Sequence, residues 1–277
     1  MRYGKGNKSC SGKILKQGLQ NIQRIIISTM NKHLRSFFIL LFILLFAYFF
    51  LPQKADQKKI YLYAWERPQD FSFLAENDYY IKNVGVAYLA GEITSKNGKL
   101  AFHNRRNPLI IPEDIEVISV VRINPLNTLE ELTDNKEEIA RFITDHCFRA
   151  GQCQLDMDTR PSEYSSYGEI IGIVNDNLGY RVSISALASW CNKKSWMNDL
   201  KISYAVPMLY RMGESSFLLK AENIILDNNF CKKNVALSTD ELDFDFQRYV
   251  VNKNVFVFNP DTWTKESLDD IIKVIYE

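Results

Sequence analysis

Two aspartates, Asp156 and Asp158, lie two residues apart in the segment QLDMDTRP, residues 154–161. If this segment is a β-strand, alternate residues face the same side, so both carboxyl groups point toward one surface. Close like charges raise the pKa of one carboxyl group, which prepares it for proton transfer. A nearby arginine, such as Arg122 or Arg160, would instead neutralise the pair in a structural ion-pair network. The spacing therefore predicts a candidate acid–base site, with charge compensation as the alternative.

Further polar and aromatic side chains follow the other apolar runs of the chain. Glu92 is the third candidate catalytic residue, and Glu66 and Glu241 are alternative acids for protonating a leaving group. The candidate substrate-binding residues are Trp65, Glu66, Arg122, Arg160, Trp190, Met208, Tyr210, Asp240 and Asp261. Aromatic rings stack on sugar rings, and carboxylates accept hydrogen bonds from sugar hydroxyls. This combination favours a carbohydrate ligand, although charged loops on any soluble barrel are the simpler explanation.

Eight short runs rich in Val, Ile, Tyr and Leu recur through the body of the chain. The runs are Ile60–Trp65, Val84–Ala90, Ile115–Ile123, Cys153–Asp158, Tyr180–Ala186, Ile202–Leu209, Asn234–Ser238 and Val255–Phe258. Continuous apolar runs are typical of parallel strands that helices cover. The clearest predicted helices are Leu129–Phe148, Tyr164–Leu178 and Lys265–Tyr276. We therefore predict an α/β fold, a compact (β/α)8 TIM-type barrel with some shortened helices and its site at the carboxyl ends of the strands.

An open, doubly wound sheet is the competing architecture. The turn after the first predicted strand, WERP at residues 65–68, lacks the glycines of a dinucleotide-binding loop. The sequence also lacks a P-loop and a GxSxG nucleophile elbow. The segment KNGK at residues 96–99 predicts a tight turn in a small β-ribbon between the second and third strands. We predict a barrel that uses no nucleotide or other cofactor.

The cysteines and histidines limit the disulfide and metal chemistry of the body. Its four cysteines are Cys147, Cys153, Cys191 and Cys231. Four cysteines allow three pairings. Cys147 and Cys153 flank one predicted helix-to-strand turn and could meet, with free buried thiols as the alternative. Because the body has only His103 and His146 and no CxxC pair, we predict no metal site.

Charge is distributed unevenly along the 277 residues. Residues 1–35 carry eight Lys and Arg and no acidic residue, which leaves 26 basic against 33 acidic residues, a net charge of about −7, downstream. Nucleic-acid-binding domains usually have a net basic surface, so we exclude nucleic acid as a partner. The apolar fraction of 46% and the charged fraction of 24% are typical of a globular protein with a buried core.

Fifteen consecutive apolar residues, Phe37–Leu51, follow the basic segment. This length lies between a signal-peptide core and the ~20 residues of a spanning helix. The positive-inside rule keeps the basic segment cytoplasmic, and the absence of a small-residue cleavage pair favours an anchor over a cleaved signal. The predicted organisation is a basic cytoplasmic N-terminus, 1–35, which includes a possible mis-assigned start before Met30; a transmembrane anchor or signal sequence, 36–52; a linker, 53–59; and an extracytoplasmic (periplasmic) barrel, 60–277.

The segment QLDMDTRP, the tyrosine-rich helix after it, and the strands RVSISALASW and SYAVPMLYRMG resemble an uncharacterised bacterial family, domain of unknown function 3142. The resemblance covers most of the body, from the YAWER strand onward. It implies a glycoside-hydrolase-type barrel whose activity is unassigned.

The fourth and sixth strands more distantly resemble chitinase-like family-eighteen hydrolases, which carry Asp-x-x-Asp-x-Asp-x-Glu and Met-x-Tyr-Asp there. The matching residues are Asp156, Asp158, Met208 and Tyr210. The first Asp, the catalytic Glu and the final Asp of the patterns are replaced by Cys153, Arg160 and Arg211. Arginine cannot donate a proton at any useful pH, so a hydrolase of this kind needs an acid from another strand.

Two functions remain. In the first, a glycosidase, Glu92, Glu66 or Glu241 protonates the leaving oxygen while Asp156 or Asp158 acts as nucleophile, base or orienter. In the second, a non-catalytic glycan-binding or interaction barrel, the arginines satisfy the aspartates or bind acidic sugars. We predict the first: an exported, glycoside-hydrolase-like barrel with a carbohydrate ligand and a membrane contact through residues 36–52.

Overall fold

The computed structural model describes residues 37–42, 58–96, 99–124, 126, 128–213 and 224–276. The chain divides into two compact units, Met1–Asp56 and Gln57–Glu277. In the first unit, residues 37–42 are helical and their apolar side chains are exposed. No helix among the described residues has the length and apolar character needed to cross a bilayer. The rest of the predicted anchor, 36–52, the basic segment, 1–35, and most of the linker lie outside the described residues.

The second unit is a closed barrel of eight parallel strands. In chain order, the described strands are β1 (Ile60–Ala64), β2 (Gln69–Asp70), β3 (Val84–Lys96), β4 (Lys99–Asn104), β5 (Leu109–Ile110), β6 (Glu116–Ile123), β7 (Cys153–Asp156), β8 (Ser183–Leu187), β9 (Ala205–Met208), β10 (Asn234–Ser238) and β11 (Asn254–Phe258). The barrel order is β1-β3-β6-β7-β8-β9-β10-β11, and β1 pairs with both β3 and β11. The predicted α/β barrel is therefore confirmed, and the open sheet is wrong.

Two small β-structures lie outside this closed ring. β4 pairs antiparallel with the extended end of β3, which confirms the β-ribbon predicted around residues 96–102. β2 and β5 form a separate two-stranded parallel sheet. These additions replace the usual helix between the second and third barrel strands.

Helices cover the barrel unevenly. The described helices are α1 (Asp78–Asn83), α2 (Leu129–Asp134), α3 (Lys136–Cys147), α4 (Tyr164–Leu178), α5 (Gln247–Val250) and α6 (Lys265–Tyr276). The helix predicted over Leu129–Phe148 is two helices, because Asn135 lies between them in a non-helical conformation. After β8, the described chain forms only the short 3-10 turns Ala188–Cys191 and Trp196–Asp199. The prediction of shortened helices is thus confirmed.

The strands bury side chains on both faces, as expected for a barrel covered by helices. Alternate residues fill the lumen: Tyr61, Tyr63, Ala87, Ile118, Val120, Val206, Ala236 and Phe256. The Tyr61 ring stacks on Phe256 at a centroid distance of 4.6 Å. A Cβ at Gly85 would lie 2.6 Å from the Tyr61 ring, so this glycine leaves the space that the ring needs. The lumen is therefore a packed core whose upper end carries the polar residues described below.

Two disulfide bonds brace the barrel. Cys147–Cys153 joins the end of α3 to the start of β7, across six residues. Cys191–Cys231 spans 40 residues and joins the turn after β8 to the segment before β10. The proposed contact of Cys147 with Cys153 is confirmed, and the alternative of free buried thiols is wrong.

Candidate functional site

A cavity of about 650 Å³ lies where the predicted residues of the carboxyl ends come together. Its described lining consists of Tyr63, Trp65, Arg122, Asp156, Asp158, Ser185, Leu187, Ala188, Ser189, Asn192, Met208, Tyr210, Arg211, Met212, Ile224, Ile225 and Phe258. The predicted site residues among these are Trp65, Arg122, Asp156, Asp158, Met208 and Tyr210. The cavity is within the size range of small-molecule sites and combines aromatic walls with a few charged groups.

Asp156 ends β7, and its side chain is only 17% exposed. Burial raises the pKa of its carboxyl group above the ordinary value, because the ionised form is poorly solvated there. The charge of Arg122 and a hydrogen bond with Ser185 offset part of this rise, while the charge of Asp158 adds to it. Asp156 is therefore the carboxyl group of the cavity best suited to hold a proton.

Beneath Asp156, a hydrogen-bonded floor closes the cavity. The Gln154 amide donates to the Tyr63 hydroxyl and to the Ser185 hydroxyl, each at 2.8 Å. Gln154 is fully buried, and its Oε1 has no hydrogen-bond partner among the described residues. Burial raises the pKa of Tyr63, so its hydroxyl stays neutral. These buried, uncharged groups therefore form the polar surroundings of Asp156 on the lumen side.

Asp158 lies two residues beyond Asp156, past the end of the strand, and is exposed at the cavity. Met157 between them is buried in the outer core, so the alternation predicted for this segment continues to Asp158. In the described part of the chain, Asp158 makes no salt bridge. Its carboxyl group is therefore open to a ligand. The described residues include no group of three metal-binding side chains at this or any other place.

Arg122 links the cavity to Glu92. Its guanidinium lies 3.9 Å from Asp156 Oδ2 and 3.9 Å from Glu92 Oε1, and Asn124 donates to Glu92 at 2.8 Å. Glu92 does not line the main cavity; it lines a separate pocket of about 340 Å³ beside the β-ribbon. A bulge in β3 between Leu89 and Gly91 shifts the register so that Glu92 is the partner of Arg122 on β6. The structure therefore does not bring the predicted catalytic Glu92 beside the aspartates, since Arg122 stands between them.

The opposite wall is built from β9 and β11. The Tyr210 and Phe258 rings stack at 5.7 Å with an interplanar angle of 7°. Arg211 has a positive φ of 56° and ion pairs with Glu241 and with Asp240, the latter at 2.8 Å. The Arg211 backbone N–H also donates to Glu241 at 2.8 Å. Asp240 and Glu241 therefore act on the cavity through Arg211, and neither lines it.

Two predicted substrate-binding residues lie elsewhere in the structure. Arg160 pairs with the buried Glu163 and donates to the Leu126 carbonyl at 3.0 Å, so it fixes the start of α4. Trp190 is 7% exposed and packs edge-on against Trp196 at 5.2 Å, which places it in the outer core. Neither Arg160 nor Trp190 lines the main cavity, because each side chain is held by packing or an ion pair outside it.

Glu66 and Asp261 lie beside the main cavity. Both line a side cavity of about 300 Å³ formed by the segments after β1 and β11. Asp261 is close to Arg67, with an ion-pair distance of 3.8 Å between exposed side chains. Glu66 also lines the pocket that contains Glu92. Glu66 and Asp261, both predicted to bind substrate, therefore lie in the side cavity at the rim and not in the cavity that contains Asp156.

Sequence reasoning missed Arg105, which follows β4 and holds the segment that carries Trp65. The Arg105 guanidinium donates to the backbone carbonyls of Ala64, Trp65, Arg67, Leu89 and Asn107. Burial lowers the pKa of Arg105, yet the group remains a cation. No sequence pattern indicates this role, because three of the five partners are backbone carbonyls 38 to 41 residues away.

We expect Arg105→Ala to lower the free energy of unfolding by about 2–4 kcal/mol, because it leaves several carbonyls without their charged donor. Urea denaturation of the purified protein measures this loss. Arg106→Ala is the matched control: its exposed side chain should matter by less than about 0.5 kcal/mol. Equal effects of the two substitutions would contradict the role of Arg105. Arg105→Lys should recover only part of the loss, since an ammonium group cannot reach all five carbonyls.

No family model, no curated protein and no solved structure matches this chain. The resemblance to domain of unknown function 3142 and to family-eighteen hydrolases therefore stays a prediction from the sequence. The geometry of the cavity is the basis on which a function can be proposed.

Proposed function

We propose that this protein is a glycoside hydrolase that binds its glycan in the main cavity and uses Asp156 and Asp158 as its two carboxyl groups. One observation carries the proposal: a carboxyl group with a raised pKa, Asp156, faces the same aromatic-walled cavity as a second, unpaired one, Asp158. Glycosidases need one acid that is protonated and a second carboxyl group across the scissile bond.

The roles follow from the two environments. Asp156, largely buried at the end of β7, protonates the leaving oxygen, and Asp158 acts as base or nucleophile. A retaining enzyme holds its two carboxyl groups about 5–5.5 Å apart and an inverting enzyme about 6.5–9.5 Å apart, so the stereochemistry of the product would show whether Asp158 is the nucleophile or the base. This assignment replaces Glu92, Glu66 and Glu241 as the acid, because none of the three lines the cavity.

The cavity walls support a sugar ligand. Trp65 and the stacked pair of Tyr210 and Phe258 offer aromatic surface, while Ser185 and Asn192 offer hydrogen bonds to hydroxyls. Burial raises the pKa of Tyr210, so its hydroxyl is a neutral donor near neutral pH. A glycan would thus find flat apolar faces and directional polar groups in one cavity.

A non-catalytic glycan-binding barrel is the second candidate function. The contact of Arg122 with Asp156 favours it, because a neighbouring cation stabilises the ionised form of an acid. In that case the aspartates accept hydrogen bonds from hydroxyls and transfer no proton. Both functions therefore predict glycan binding, and only the glycoside hydrolase predicts turnover.

We also propose that the barrel lies outside the cytoplasm, anchored through residues 36–52. The two disulfide bonds support this location, since such bonds persist mainly in oxidising compartments. Their formation in the purified protein can be checked by thiol titration before and after reduction.

The test is a thermal shift of the purified protein against neutral, N-acetylated and acidic oligosaccharides, followed by product analysis. At a ligand concentration of 100 Kd we expect the melting temperature to rise by about 5–10 °C. Asp158→Ala should remove the shift. Shortened products support the hydrolase, and binding without products supports the glycan-binding barrel. The absence of both with every sugar would contradict both functions.

A further inference from the structure

The main cavity and the side cavity are adjacent. The lining of the side cavity includes Glu66, Arg67, Asp261 and Trp263, from the segments after β1 and β11. The residues that line both cavities are Tyr63, Trp65, Arg211 and Phe258. Four shared lining residues mean that the two cavities lie side by side, so a ligand longer than the main cavity would extend toward the side cavity.

From this juxtaposition we infer that the ligand is an uncharged oligosaccharide that runs from the main cavity over Trp65 into the side cavity. The inference rests on the proposed function and adds the length and charge class of the ligand. The main cavity holds the unit beside Asp156, and the side cavity holds the next unit or units of the same chain.

Trp65 lies between the two cavities and is held in place there, so its ring can serve as a stacking platform for neighbouring sugar units. Its side chain is half-buried and meets the Tyr63 ring edge-on, at 5.8 Å and 87°. Its backbone carbonyl accepts a hydrogen bond from Arg105, which fixes the segment after β1. An aromatic ring held in this way keeps its face in one place and loses little entropy when a sugar stacks on it.

The floor of the side cavity is equally fixed. Trp263 is buried, and its indole N–H donates to the Tyr63 carbonyl at 3.0 Å. The Trp263 backbone N–H donates to Gln69 at 3.1 Å. Above this floor, Arg67 and Asp261 are exposed and only loosely paired, so both can exchange their contact for sugar hydroxyls.

The charged residues of the two cavities disfavour an acidic oligosaccharide. In the main cavity, Arg122 and Arg211 face two aspartates, and each arginine is already paired with carboxylates. In the side cavity, Arg67 lies 3.8 Å from Asp261, Arg211 is paired with Asp240 and Glu241, and Glu66 adds a further acidic group. No described arginine of either cavity is left with its charge uncompensated, so a row of ligand carboxylates would gain little and would meet the acids of the rim.

The experiment measures Kd by calorimetry for chains of one to five units of β-1,4-linked glucose, β-1,4-linked N-acetylglucosamine and α-1,4-linked galacturonate, with the purified protein. For one of the two uncharged series, we expect Kd to fall about tenfold or more from one sugar unit to three, because the longer oligosaccharide makes one further stacking contact. Galacturonate chains should bind at least about tenfold more weakly.

Variants separate the two cavities. Asp261→Ala and Trp65→Ala should reduce the ratio of the one-unit to the three-unit Kd, and Trp65→Phe should restore part of it. Asp270→Asn on the exposed face of α6 is the matched control and should leave the ratio unchanged. Kd values independent of length, or tighter binding of galacturonate, would overturn the inference while the proposed function stands. Failure of every series to bind would instead overturn the proposed function.

Discussion

Asp156→Asn is expected to lower kcat/KM for glycan hydrolysis by about 10²–10⁴-fold, because asparagine fills the same space but cannot donate the proton. The wild-type rate should also fall as the pH rises through the raised pKa of Asp156, since the acid is then ionised. The measurement is the initial rate against pH with the glycan identified by the thermal shift. A variant with the wild-type rate would exclude Asp156 as the acid.

The melting temperature of Asp156→Asn distinguishes the loss of a catalytic acid from damage to the fold. Because the pKa of Asp156 is raised in the folded state, the folded protein binds the proton more tightly, and stability falls as the pH rises through that pKa. Removing the ionisable group should therefore leave the melting temperature at pH 7 equal to or above the wild-type value. Glu92→Gln should cost less than about tenfold in rate, and exposed Asp176→Asn should have no effect.

The barrel was predictable because its signal is local. Each parallel strand is buried on both faces and therefore appears as a continuous apolar run in the sequence. The alternation in QLDMDTRP likewise put Asp156 and Asp158 on the side opposite Leu155, and the structure has Leu155 in the outer core and both aspartates at the cavity. Where a side chain's direction depends on its own strand, sequence reasoning succeeded.

The rest of the site depends on partners that are distant in sequence or on local geometry that no pattern reveals. A β-bulge in β3 puts Glu92 in register with Arg122, and the Arg122 guanidinium then lies between Glu92 and Asp156, which no sequence pattern reveals. Trp190 follows a strand as a ligand-binding aromatic residue would, and the structure packs it on Trp196 in the outer core. Arg211 reaches the cavity through a positive φ that its two acidic partners hold in place. The positions of these side chains are determined by tertiary packing, which local sequence propensity does not specify.

Replacing both Cys191 and Cys231 with alanine is expected to lower the free energy of unfolding by about 4 kcal/mol, because the bond closes a 40-residue loop in the unfolded chain. The matched control is the double alanine variant of Cys147 and Cys153, whose six-residue loop predicts about 2 kcal/mol. Both pairs are buried, so the cavity left by each lost sulfur pair is similar. Urea denaturation at constant protein concentration measures the two losses.

The same pair of variants also tests whether the Cys191–Cys231 bond shapes the site. Cys191 ends the turn that supplies Ala188 and Ser189 to the cavity wall, and its carbonyl accepts the Asn228 N–H at 2.8 Å. Removing this bond should therefore weaken glycan binding at a temperature where the variant is still folded, whereas removing Cys147–Cys153 should not. Equal stability losses would contradict the loop-length argument. Unchanged affinity in a folded Cys191–Cys231 variant would show that the turn keeps its shape through Asn228 alone.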